Sequence, residues 1–161
     1  MQNQPPGAMM GVSLAEEEIG KWIKKPIWLA AVNAPRRCVL SGPSEAIHQL
    51  HQQLKQQRTE EGTLIQSTLL HTSHAFHSEM MDPAVAPFTA LMEKIRLQPP
   101  QIPFVSNLTG DWMSAETATD PSYWARHLRH TVRFSQGIAT LMQSLEPVFL
   151  EIGPGNTLTT L

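Results

Sequence analysis

WLAAVNAPRRCVLSGPSEAIHQLHQQL, residues 28–54, carries a strand–turn–strand–helix pattern from which the architecture follows. WLAAVN (28–33) is an apolar, strand-like run, and Ala34-Pro35-Arg36 after it is turn-like because proline fixes φ at a turn position. RCVLS (37–41) then returns as a second strand, so 28–41 reads as strand–turn–strand. Gly42-Pro43-Ser44 breaks that strand and starts a helix. In it Ala46, Ile47, Leu50 and Leu54 recur at helical spacing and form one apolar stripe. The other face is Gln, His and Lys, including His48 and His51, and is expected to be solvated.

Upstream, AMMGV (8–12) reads as a short strand, and residues 1–7 as an irregular lead-in. Ser13-Leu14-Ala15-Glu16 has the form of a capping box, in which the serine hydroxyl and the glutamate each satisfy a free helical amide. The helix that follows carries Ile19, Trp22 and Ile23 on one face and should stop before Pro26. Downstream, a polar loop (58–62) precedes a strand at 64–70. The order β-α-β-β-α-β is the ferredoxin-like arrangement, expected over 8–72 as a small subdomain with its own core.

Beyond residue 72 the texture changes. Met81, Val85, Phe88, Met92 and Ile95 predict a helix over 79–95, with Pro83 tolerated in its first turn and Pro99-Pro100 beyond its end. PFVSN (103–107) reads as a buried strand closed by Thr109-Gly110-Asp111. Asp120-Pro121 has the cap-then-proline form of a helix start, leading through Tyr123 and Trp124 to Leu128. Ser135 is expected to cap a helix carrying Ile138, Leu141, Met142 and Leu145. VFLEI (148–152) reads as an apolar strand running into Gly153-Pro154-Gly155. Helices alternating with short apolar strands predict a parallel α/β layer.

The composition excludes several classes. The chain has 161 residues and 41% apolar content, so a compact form would bury about 68–70% of its unfolded surface. A net charge of −2 argues against nucleic acid, which selects basic faces. No run approaches the ~18–20 apolar residues of a membrane span, and the first residues lack the charged and apolar regions of a signal peptide. The one cysteine, Cys38, rules out an intrachain disulfide or a cysteine-based zinc site, and a reducing, cytoplasmic compartment is expected. Mid-strand among apolar neighbours, Cys38 is expected to be a buried, inert thiol.

The histidines offer chemistry. His71, His74 and His77 are spaced by three in LLHTSHAFHSEMMDP (69–83), a spacing that suits helical metal ligation. Here a strand feeds a loop, and strand positions three apart face opposite ways, so no metal site is expected. The two remaining readings are loop histidines without a task, or a general base beside a nucleophile. The nearest approach to a G-x-S-x-G elbow is Gly11-Val12-Ser13-Leu14-Ala15, which lacks the final glycine, and Ser13 is better used as a helix cap. Gly153-Pro154-Gly155-Asn156-Thr157 is a second candidate, for phosphate, but Pro154 removes one of the amides a phosphate nest uses, so a tight strand-to-helix turn is expected. His130 receives no role.

HTSHAFHSEMMDP (71–83), together with VNAPRRCVLSGP (32–43), PFVSNLTGDW (103–112), DPSYWARHLRHTVRFSQGI (120–138) and FLEIGPGNTLTTL (149–161), resembles the acyltransferase domain of modular type I polyketide synthases. More distantly it resembles the malonyl/acetyl transferase of animal fatty acid synthases. The resemblance implies a mixed α/β fold: a ferredoxin-like small subdomain (8–72) plus the C-terminal portion (73–161) of an α/β-hydrolase-like large subdomain. It implies that a Ser–His dyad moves malonyl from coenzyme A to the phosphopantetheine thiol of an acyl carrier protein. By matching motif, His77 is the dyad histidine. His74-Ala75-Phe76-His77 resembles the malonyl-selective form, Phe76 leaving little room for an α-methyl. A backbone carbonyl around His127, in the WARHLR segment (124–129), would fix the tautomer of His77.

The departures are equally informative. The chain has no GHSxGE, so the family's serine is not in it, nor are the malonyl-clamping arginine and the oxyanion-hole residues. The resemblance therefore implies a piece of an acyltransferase, inactive alone, whose partners are the N-terminal half of that domain, an acyl carrier protein, and the adjacent ketosynthase and linker regions. No tightly bound cofactor is expected, only malonyl-CoA as substrate and phosphopantetheine on the partner. Strands 103–107 and 148–152, without flanking neighbours, are expected to leave edges open to self-association. The rival reading is a non-catalytic module contacting a carrier protein or neighbouring synthase domains.

Overall fold

The computed structural model describes residues 4–143 and 147–161. Its centre is a four-stranded sheet built from β1 (Ala8–Val12), β2 (Trp28–Ala34), β3 (Arg37–Gly42) and β4 (Ser67–Leu69). The order is β2-β3-β1-β4 and every pairing is antiparallel, the ferredoxin-like arrangement. Cross-strand pairs Met10↔Leu40 and Val12↔Cys38 place their side chains on one face, against α2 (Ser44–Leu54) and α1 (Glu16–Ile19). Met9 and Val39 point the other way, with Ala30 and Ala31, and pack against Phe76 and Val132. Both faces are therefore covered, which explains why the strands read as continuous apolar runs rather than alternating ones. Leu40, Ile47 and Leu54 are fully buried, each contributing roughly 1.5–3 kcal/mol by leaving water.

Cys38 lies in this core as expected, and burial pushes its thiol up to about 11. At pH 8 iodoacetamide should leave the folded protein unmodified and alkylate it fully in denaturant. Rapid labelling of the native chain, followed by mass spectrometry, would contradict that placement.

Several local expectations give way to tertiary contacts. The Ser13 amide donates to the Gln66 carbonyl at 2.9 Å, so Ser13 prolongs the β1–β4 contact instead of capping a helix. The cap falls at Ala15, whose amide donates to Glu18 at 2.9 Å, two residues later than the expected box. Glu16 is thereby released to meet Arg133. α1 lasts one turn and tightens into a 3-10 turn at Gly20–Trp22. His51 is buried, not solvated: β4 lies beside that flank of α2, and Ser67 Oγ meets His51 Nδ1 at 2.8 Å. β4 is shorter than 64–70 because the Ile65 amide turns back to Gln57.

After the sheet come a 3-10 turn at Glu79–Met81, α3 (Asp82–Met92), α4 (Ala115–Thr119), α5 (Pro121–Arg129) and α6 (Phe134–Met142). Ser78 caps the 3-10 turn and Asp120 caps α5 through the Ser122 amide at 2.8 Å. Pro83 sits in the first turn of α3, which ends at Met92, short of Ile95, as the Lys94 and Ile95 amides switch to carbonyls three residues back. α4 is an addition to the expected elements; Ser114 caps it through the Thr117 amide. α6 begins two residues before the helix that Ser135 would cap, since the Arg133 carbonyl already accepts from Gly137. Leu145, expected on that helix, lies outside the described residues.

The two expected C-terminal strands do not form among the described residues. PFVSN supplies a single antiparallel bridge, Val105↔Trp112, and 148–152 has no ladder, with Val148 96% and Leu150 80% exposed. An apolar run becomes a strand only where a neighbouring chain segment offers its amides and carbonyls. The parallel layer is accordingly reduced to one parallel bridge, Ala31↔Val132. Residues 153–157 form no strand-to-helix junction; Glu151 instead accepts from the Leu158 and Thr159 amides. Among the described residues no helix is long and apolar enough to cross a membrane.

Candidate active site

The HAFH segment, 74–77, crosses the face of the sheet opposite α2. It is seated by backbone contact: the Gly7 amide donates to the Ser73 carbonyl at 3.1 Å. A Cβ at Gly7 would come within 2.7 Å of the Ala75 backbone nitrogen and Cβ, so only glycine allows this approach. Ala75 is fully buried, and its carbonyl accepts from Ser78 Oγ at 2.6 Å. Phe76 rests on the Met9, Ala30, Ala31 and Val39 patch. His74, its ring 5.9 Å from that of Phe76, meets Ser73 Oγ at 2.8 Å through Nδ1.

With these neighbours fixed, the chain reverses at His77, whose φ of 56° lies in the left-handed region. A residue with a Cβ is seldom found there, and its cost must be met by the surroundings. Here the His77 amide donates to the Leu128 carbonyl at 3.3 Å and the ring lies against α5. His77 Nδ1 stands 2.9 Å from the His130 carbonyl oxygen. A carbonyl only accepts, so Nδ1 carries the proton and Nε2 keeps its lone pair. Burial lowers the pKa of His77, partly opposed by the His130 carbonyl, which favours a charged ring. The result is a neutral imidazole with one basic nitrogen of defined direction.

His127 presents its ring edge-on to His77, 5.9 Å between centroids, and its own pKa is lowered by burial. Behind it, the Tyr123 ring lies 6.4 Å away and Tyr123 Oη meets Ser106 Oγ at 2.7 Å. The carbonyl expected around His127 is joined by that of His130: both favour the charged ring, and the His130 carbonyl has the larger effect and stands 2.9 Å from Nδ1. Nothing in the sequence pattern marks His130, Leu128, Tyr123 or Ser106 for a role at the site. For the two carbonyls no signal exists, because every residue type carries one.

His71 lies in a separate groove with His48, Ser44 and Thr72. Among the described residues no three His, Cys, Asp or Glu side chains gather as metal ligands. Ser13 sits at the β1–β4 junction, hydrogen-bonded through its backbone, away from the HAFH turn. Beside His130, a groove of about 370 Å³ runs between α3 and α5, lined by Asp82, Val85, Arg126 and Arg129. Its cations are paired, Arg129 with Asp82 at 2.8 Å and Arg126 with Asp120 at 3.1 Å.

A ferredoxin-like unit, helices behind it and an oriented histidine between them define a mixed α/β domain of the acyltransferase architecture. The chain belongs to the acyl transferase domain family, whose model matches residues 1–161. It is 35% identical over 159 residues to a phenolphthiocerol/phthiocerol polyketide synthase of Mycobacterium tuberculosis, covering 99% of this chain and 10% of that protein. It is 35% identical over 165 residues to the spectinabilin polyketide synthase system protein NorB of Streptomyces orinoci, of which it spans 7%. Among solved structures, the acyl transferase domain of SpnD, in complex with 2-(pent-4-yn-1-yl)malonyl, superposes with a TM-score of 0.87 at 37% identity, over 96% of this chain and 36% of that one. The malonyl CoA-acyl carrier protein transacylase from Burkholderia pseudomallei gives 0.84 at 26% identity, over 99% of this chain and 56% of its own. The chain therefore spans a small part of these synthases and between a third and three-fifths of the solved chains.

Proposed function

We propose that this chain supplies the histidine base and the acyl-discriminating segment of a malonyl-selective acyltransferase that serves an acyl carrier protein. The observation that carries the reading is the His77 Nδ1 to His130 carbonyl contact at 2.9 Å, which leaves Nε2 as the basic atom. In this reading 8–72 is the small subdomain and 73–161 belongs to the large one.

The chemistry needs a serine, and no GHSxGE segment occurs in the chain, so the serine comes from another segment of the domain. His77 Nε2 takes its proton as the oxygen attacks the thioester carbonyl of malonyl-CoA. The tetrahedral intermediate collapses, the C–S bond breaks, and Nε2 returns the proton to the departing thiolate. The carrier-protein thiol then gives its proton to Nε2, attacks the serine ester, and the serine oxygen leaves with that proton. His77 ends each half-reaction neutral. His127, edge-on to the ring, supports its orientation, and no cofactor beyond substrate and carrier phosphopantetheine is required.

The chain by itself should not become acylated. Incubation with malonyl-CoA followed by intact-protein mass spectrometry should show no adduct; malonyl on a serine would overturn the reading and return attention to Ser13. Joined to a GHSxGE-bearing segment, the chain should form that adduct. Selectivity follows from Phe76, held against the sheet by Met9 and Val39. One methyl in a packed pocket is worth ~1–3 kcal/mol, roughly 10- to 200-fold. Phe76→Ser in the joined domain should reduce the malonyl over methylmalonyl preference by about that factor in competition for the two CoA esters. An unchanged ratio would remove Phe76 from the selection.

A further inference from the structure

We infer that Arg133, held by Glu16, is a positioning residue for the His77 imidazole, acting through the backbone of 130–133. The inference rests on the reading of His77 as the base. The orienting carbonyl belongs to His130, the first residue past α5. A carbonyl at a helix end is free to swing unless the next residues are fixed, and here they are fixed repeatedly.

Thr131 Oγ1 donates to the Leu29 carbonyl at 2.7 Å. The Val132 amide donates to Ala30 and its carbonyl accepts from Val32, both at 2.9 Å, so the segment joins the outer edge of β2. The Arg133 amide donates to the Asn107 carbonyl at 2.7 Å. The Arg133 guanidinium reaches both carboxylate oxygens of Glu16 at 2.7 Å, from 117 residues away in sequence. Glu16 stands in the first turn of α1, itself packed on the far side of the sheet through Ile19. The ion pair thus locks the end of the segment to the sheet's opposite layer, with the His130 carbonyl at the other end of the same short span.

The test reads the ring itself and needs no acyl transfer. Histidine labelled with nitrogen-15 in this chain reports which nitrogen of each ring carries the proton, and the His77 signals are those lost in His77→Asn. In the unsubstituted chain His77 should be protonated at Nδ1. In Arg133→Gln the segment keeps its Thr131 and backbone contacts but loses its side-chain anchor to Glu16, so the Nδ1-protonated fraction of His77 should fall measurably, since a ring with a less fixed acceptor populates both tautomers. Arg133→Lys, which retains the charge on a shorter side chain, should recover part of it. If Arg133→Gln does not fold, Glu16→Gln makes the same cut from the other side and decides the question. A folded variant with lower thermal stability but an unchanged His77 tautomer would make the pair merely structural and overturn the inference. An unsubstituted chain protonated at Nε2 would instead remove the reading of His77 itself, and the inference with it.

Discussion

His77→Asn is expected to lower malonyl transfer about 10²–10⁴-fold in a domain that joins this chain to its serine-bearing segment. Asparagine is the right replacement on physical grounds. It is among the few side chains that accept a left-handed φ such as the 56° seen here. Its side-chain amide donates, so it can still face the His130 carbonyl. What it lacks is a basic nitrogen at the position of Nε2. The measurement is kcat/KM for transfer from malonyl-CoA to the carrier thiol, with circular dichroism to show that the fold is kept. A rate within a few-fold of the unsubstituted domain would exclude His77 as the base. The pH profile has a defined sign. Burial holds the His77 pKa below its ordinary value, so the neutral, basic form persists as the medium is acidified through that value. The acid limb of kcat/KM should therefore lie below the range of a free histidine, with rate rising with pH and then levelling. A limb above that range would require a charge that stabilises the imidazolium, and none is placed there among the described residues.

How much of the fold and site is legible in the sequence follows from what each feature depends on. The sheet is readable because its signals are local: a proline-bearing turn between two apolar runs, then Gly42-Pro43 ahead of a helix with Ile47, Leu50 and Leu54 on one stripe. Those choices agree with each other, and the strand order follows from them. His51 departs from expectation for the opposite reason. Its place on a Gln- and His-rich face suggests water, and only the arrival of Ser67 beside α2 decides that it is buried. The same holds for 103–107 and 148–152, where apolarity is visible but the presence of a pairing neighbour is not. At the site, His74, Phe76, His77 and His127 stand out as residue types. The oriented carbonyl does not, because it belongs to the backbone of His130 and is aimed by contacts from Leu29, Ala30 and Glu16, about a hundred residues away.

Leu40→Ala should cost about 2–5 kcal/mol of folding stability, the largest effect expected from a single truncation away from the site. Leu40 is fully buried on β3, the strand flanked by β2 and β1, and its side chain joins the cluster of Met10, Ile47 and Leu54 beneath α2. Its neighbours are held by ladder pairing on both sides, Leu29 and Met10 being its cross-strand partners, so the space it vacates cannot close by moving one strand. The cost therefore includes both lost burial and a retained cavity. For a chain of this length each kcal/mol moves the melting temperature by roughly 2–4 °C, giving a drop on the order of 4–20 °C. Ile102→Ala supplies the contrast: that side chain is 79% exposed, and its loss should change stability by no more than about 0.5 kcal/mol. Thermal unfolding followed at a far-ultraviolet wavelength separates the two. Equal effects would mean that the sheet–helix layer does not carry the stability of the chain.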